Sequence, residues 1–325
     1  MAILRINASE DGRVFPASGG DWRAELSRIA RRIPATAPVV VMLHGLRYSW
    51  REGRGCDPHA TLYRADVVPE SRTTRPPLAN WPRQLGFSEH CEADGLCIAF
   101  GWDAGELSDL RRMSRAKERF AAGLSLVLDE VADAGFIADV FGHSLGGAVA
   151  LSAISSSRRH RVRRAVLMGP ADRRASALLA MERSERTEFF HILARANNLF
   201  DEAFDRLSPG SRCGRDAPLG AMGPGRASGR WIDIQIDHPR TKRWLSRRAG
   251  APPRRPERVS HWVYYSDPTA MAFYSDVLRY QGPSAIAAFK ALGAPLEIEP
   301  RWARLRPKFV LRSTATNASS TAAAA

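Results

Sequence analysis

Hydrophobic positions along this chain fall into two alternating periods. Val39-Val40-Val41-Met42-Leu43 is a continuous apolar run with no polar alternation, the pattern of a central parallel strand covered on both faces. Similar runs occupy 96–102 (LCIAFGW), 137–141, 164–169 (RAVLMG) and 188–194 (EFFHILA). Ile232, Ile234 and Ile236 alternate within 231–236, a further strand, and Ile3, Leu4 and Ile6 in 2–7 suggest an edge strand. Between these runs the apolar spacing changes to three and four. Trp22, Leu26 and Ile29 predict a helix over 21–32. Met113, Phe120, Leu124, Val127, Leu128 and Val131 predict a long one over 106–134, with Gly135 as its cap. Further helices are predicted over 172–185, 198–207, 239–248, 267–280 and 284–292. Strand and helix in alternation, with five or more buried runs, predict an α/β fold. Its sheet is mostly parallel and doubly wound, with helices on both faces.

The pattern predicts a single α/β domain over 1–312. It is interrupted at about 47–94, rich in Pro, Arg and Trp, and at about 208–229, rich in Gly, Pro and Arg. Each reads as an insertion able to wall a pocket. Segment 313–325 is Ser/Thr/Ala low complexity with no apolar face, and is expected to be disordered.

Composition adds a bias. The formal net charge is +14, and only four of the 48 basic residues are lysine: Lys117, Lys242, Lys290 and Lys308. The arginines lie in short clusters, such as Arg158–Arg164, without a nucleic-acid motif. They read as a solvated surface, and no specific nucleic-acid partner is expected. The first residues, MAILRINASEDGR, lack a signal-peptide core, and no stretch approaches the roughly 20 apolar residues of a membrane span. Cys56, Cys91, Cys97 and Cys213 form no CxxC pair and read as free thiols, which makes a cytoplasmic setting the expectation. No metal or organic cofactor is implied. Oligomeric state is not written in this pattern.

The chemistry gathers in IADVFGHSLGGAVALSAISS, residues 137–156. A short apolar run turns through Gly142-His143-Ser144-Leu145-Gly146-Gly147 into a run of small apolar residues suited to a buried helix. In a strand–turn–helix, G-x-S-x-G presents a serine hydroxyl at the tip of a strained turn. Side chains two residues before and after would collide with the flanking elements, so Gly142 and Gly146 fit there. The following helix directs free N–H groups at the serine, favouring developing negative charge. Ser144 is therefore a candidate nucleophile, and the N–H of Leu145 a candidate oxyanion donor.

The strand ending in His44-Gly45, and the later one ending in GHSLGG, resemble the α/β-hydrolase superfamily, and the GHSLGG form is similar to its lipases and esterases. By element order the resemblance covers about 39–292. It implies an α/β-hydrolase-like three-layer sandwich and a nucleophile at Ser144, and it leaves the substrate open. It points to Leu46, in the loop after His44-Gly45, as the second oxyanion donor. His44 reads as a brace for that loop.

The superfamily's chain order places the acid and then the base after the serine. Of the later histidines, His160 comes too early and His191 lies inside an apolar strand. His238 follows a strand, and His261, in VSHWVYY, leads into the last helices. His261 is the preferred base and His238 the alternative. The acid should follow strand 188–194. Asn197 and Asn198 occupy that position, Asp201 is the nearest carboxylate, and Asp172 is the rival. The expected activity is hydrolysis of a small-molecule carboxylic ester or thioester by Ser144, His261 and Asp201. Alternatives are an acyltransferase with the same residues, or a catalytically silent binding protein on this fold.

Overall fold

The computed structural model describes residues 2–64, 80–87, 91–208, 216–220, 223–224, 229–252 and 257–303. Much of both predicted insertions, and the whole of segment 313–325, lie outside the described residues. The strands are β1 (Ala2–Ala8), β2 (Val14–Pro16), β3 (Val39–Leu43), β4 (Leu96–Trp102), β5 (Ala138–His143), β6 (Val162–Met168), β7 (Glu188–Leu193) and β8 (Trp231–Gln235). They form one sheet in the order β2-β1-β4-β3-β5-β6-β7-β8, parallel throughout except for β2. β1 is therefore not the edge strand the alternation suggested. A hairpin returns the chain as β2, which at three residues is too short to show a period, and β2 takes the edge.

The helices are α1 (Trp22–Ala30), α2 (Pro58–Thr61), α3 (Trp81–Gln84), α4 (Leu110–Asp133), α5 (Leu145–Ser156), α6 (Arg174–Arg183), α7 (Asn198–Leu207), α8 (Pro239–Ala249), α9 (Val263–Ser266), α10 (Pro268–Arg279) and α11 (Ala285–Ala291). They cover both faces of the sheet. Val39, Val41 and Leu43 of β3 join one core with α1, α4, α5 and α6, while Val40 and Met42 join the other with α8, α10 and α11. Both faces of the central strand are buried, so no polar position interrupts its run. α5 is buried along nearly its whole length, which explains its small residues. The described part of 47–94 contributes to the second core: Tyr63 and Trp81 are fully buried there. No described helix is long and apolar enough to cross a membrane.

The arginine-rich segments are only partly solvated. Arg164 is buried. Its guanidinium bonds Glu188 of β7 and donates to the carbonyls of Val277 and Tyr280, tying β6 to the end of α10. Arg163 pairs with the buried Asp139 at 2.6 Å, and Arg173 and Arg195 are also buried. Arg158, Arg159 and Arg161 of the 158–164 cluster are exposed, as expected, and the correction falls on Arg164 and in part on Arg163: the Arg164 partner Tyr280 lies 116 positions away in sequence, beyond the reach of local pattern.

Candidate active site

β5 ends in the turn that carries Ser144. Its backbone has φ 55° and ψ −121°, a left-handed conformation that costs a non-glycine residue of order 1–3 kcal/mol. Surrounding hydrogen bonds hold it there. Ser144 N–H donates to Met168 O on β6 (2.9 Å), and Ser144 O accepts from Gly147 and Ala171 (both 3.0 Å). Close packing fixes the glycines. A Cβ on Gly146 would lie 2.4 Å from His44 O, and one on Gly45 would lie 2.8 Å from the Ser144 Cβ. The β3 loop therefore runs directly against the serine, and only hydrogen at Gly45 allows that approach.

His44 fixes the loop. It is fully buried and stacks on Trp102 at 5.4 Å. Trp102 N–H donates to its Nε2 (3.1 Å), so the ring proton sits on Nδ1 and is donated to Gly45 O (2.9 Å). Burial pushes its pKa down to about 3, keeping the ring neutral. Pinning the Gly45 carbonyl directs the N–H of Leu46 the opposite way across a planar peptide. Leu145 is the first residue of α5, where an N–H has no acceptor within the helix.

The structure brings His261 to Ser144 across 117 positions of sequence: Nε2 lies 3.1 Å from the serine Oγ. Two loops at the same end of the sheet hold the histidine. Ser260 N–H donates to Ala196 O (2.9 Å), and Ala196 N–H donates to Asp237 Oδ2 just beyond β8 (2.9 Å). Phe200 stacks on the imidazole at 4.6 Å, with an interplanar angle of 26°. His143 also packs on it, with ring centroids 4.6 Å apart, and donates from Nε2 to His261 O (3.1 Å). Burial, reinforced by the positive charge of Arg47, pushes His261 down to about 4, so the free ring is neutral at pH 7.

Asp201 was expected to bond His261. The third residue in contact is instead Asn197, whose Oδ1 lies 2.7 Å from His261 Nδ1. Asp201 stands behind it, its Oδ1 accepting from Asn197 Nδ2 at 2.8 Å. Asn197 occupies the position after β7 where an acid was sought. The signal that could have found it is its i,i+4 spacing to Asp201 on α7.

The rival residues lie elsewhere. Asp172 is bonded through both oxygens to Lys117 Nζ (2.9 Å each) and to Ser176. His238 caps α8, accepting from Arg240 N–H, and His191 bonds Asp233 at 2.7 Å within the sheet. His160 is exposed. No protein-family model matches the chain, and no curated protein sequence matches it.

Proposed function

We propose that the protein is a serine hydrolase of the α/β-hydrolase kind, cleaving a carboxylic ester or thioester through an acyl-enzyme on Ser144. The observation that carries this reading is the hydrogen bond between His261 Nε2 and a serine held in a strained strand-to-helix turn. With Nδ1–H donating to Asn197, the Nε2 lone pair faces the serine hydroxyl.

In the first half-reaction Oγ attacks the acyl carbon while Nε2 takes its proton, and the carbonyl oxygen becomes an oxyanion. The backbone N–H groups of Leu46 and Leu145 are the donors in reach of that charge, and such a donor is worth about 3–4 kcal/mol. Collapse of the intermediate expels the alcohol or thiol, protonated by the imidazolium. Water then repeats the sequence on the acyl-enzyme, His261 accepting its proton and returning it to Ser144. An imidazole with a lowered pKa becomes a strong acid once protonated, which suits the proton return.

The test is Ser144→Ala. Hydrolysis of a short p-nitrophenyl ester should fall to the background rate while the circular dichroism spectrum and melting temperature stay close to wild type. A folded variant with full activity would refute the reading.

A further inference from the structure

Asn197 presents two ends of nearly equal shape to its neighbours. Its Oδ1 faces His261 and its Nδ2 faces Asp201. Which end faces which decides the chemistry, because an amide oxygen accepts and an amide nitrogen donates. We propose that Asp201 is a positioning residue that selects the tautomer of His261 through the orientation of the Asn197 amide, so that the base is switched on when Asp201 ionises. This rests on the hydrolase reading of Ser144 and His261, and adds a control by a carboxylate two hydrogen bonds removed from the base.

An ionised carboxylate only accepts hydrogen bonds. Facing it, Asn197 must present Nδ2, and Oδ1 is then turned to the imidazole. The ring must carry its hydrogen on Nδ1, and Nε2 is free to take the serine proton. A protonated Asp201 reverses this chain. A proton on Oδ2 would be a buried donor without an acceptor, since Oδ2 has no hydrogen-bond partner among the described residues. A proton on Oδ1 is satisfied once the amide turns its oxygen to Asp201. Nδ2 then faces the ring, Nδ1 must accept, and the ring hydrogen moves to Nε2. In that state His261 donates toward Ser144 and cannot deprotonate it.

The surroundings poise this switch near neutrality. Asp201 is buried on α7 with Gly220 packed against its carboxylate. Burial raises its pKa from 3.8 to about 7, against the opposing pull of Arg301, Arg195 and the Asn197 bond. Both cations are partly engaged: Arg301 pairs with Glu202 (3.0 Å), and Arg195 donates to Glu299 O (2.7 Å). Tyr264 of α9 and Asp237 after β8 also face this cluster. Burial and the two aspartates raise the Tyr264 phenol well above its ordinary range, so it stays neutral. Burial pushes His261 down to about 4, so it gains no proton between pH 6 and 8, and burial with the neighbouring His261 pushes His143 well below its ordinary value.

The experiment is a pH titration of full-length protein carrying 15N-histidine. Two-bond proton–nitrogen spectra report which ring nitrogen of His261 is protonated, and kcat/KM on p-nitrophenyl acetate is followed in parallel. In wild type the hydrogen should sit on Nδ1 above pH 8 and move to Nε2 below pH 6. Over the same interval kcat/KM should fall about tenfold in all, steepening toward tenfold per pH unit only below pH 6. Asp201→Asn, nearly identical in shape, should lose that transition from both readouts, and its kcat/KM should be lower and flat from pH 6 to 8. A His261 that keeps Nδ1–H from pH 5 to 9 in wild type, or an Asp201→Asn profile that superimposes on wild type, overturns the proposal. The ring spectra need no turnover. A tautomer transition in a protein without esterase activity would uphold the relay and remove the hydrolase reading. Activity without the transition would do the reverse.

Discussion

Asn197 Oδ1 lies 2.7 Å from His261 Nδ1, filling with a neutral amide the place where a carboxylate would face the imidazole. With its oxygen turned to the ring, an amide holds the same orientation and tautomer as a carboxylate would, and it offers less stabilisation to the imidazolium that the proposed reaction forms in its transition state. Asn197→Ala should lower kcat by about 10²-fold with little change in KM, because the lost interaction grows as charge develops. Steady-state kinetics on one activated ester checks this. An unchanged kcat would remove Asn197 from the account.

The two histidines weighed as base separate clearly. His238 accepts a backbone N–H at the start of α8, whereas His261 reaches the serine. His261→Ala should lower kcat by several orders of magnitude. His238→Ala should keep kcat within about threefold of wild type and lose of order 1 kcal/mol of stability from the helix cap. A dead His238→Ala beside an active His261→Ala would reassign the base.

Acid should destabilise the fold through its buried histidines. Burial lowers His44 from 6.5 to about 3 and His261 to about 4, and His143 lies well below its ordinary value. Between those values and pH 6.5 the unfolded chain binds protons that the folded chain does not. Stability is thus fully present above pH 6.5 and is lost as pH falls through this window. Asp201 has the opposite sign: with a folded pKa raised to about 7, it costs stability as pH rises from 3.8 toward 7. His44 alone should account for about 2 kcal/mol lost between pH 6.5 and 4.5. Denaturant melts across this range test the sign, and His44→Gln should show a shallower fall. A wild-type stability that rises on acidification would contradict the assignment.

The net charge of +14 predicts weak, nonspecific DNA binding that collapses with added salt. Anisotropy titrations at about 50 and 200 mM salt should differ by orders of magnitude. Nanomolar binding selective for one sequence at physiological salt would contradict it.

Local signals carried most of what the sequence revealed. The run 39–43 and the elbow at Ser144 were legible because strand, turn and helix are contiguous, and each glycine answers a nearby backbone atom. His261 was legible by chain order, although its contact with Ser144 spans 117 positions. Asn197 is not legible as the partner of His261, because a neutral amide that bridges to Asp201 carries no charge to mark it where a carboxylate is expected. The edge was misplaced because three-residue β2 shows no period. Arg164 read as surface because nothing beside it in sequence announces Glu188 or the carbonyls at the end of α10.

The central claim is that Ser144 is an activated nucleophile. A fluorophosphonate probe incubated with the full chain, followed by peptide mass spectrometry, measures this most directly. The account predicts one adduct, on Ser144, absent from Ser144→Ala and strongly slowed in His261→Ala. Folded wild-type protein that gains no adduct, or gains it on another residue, would contradict it.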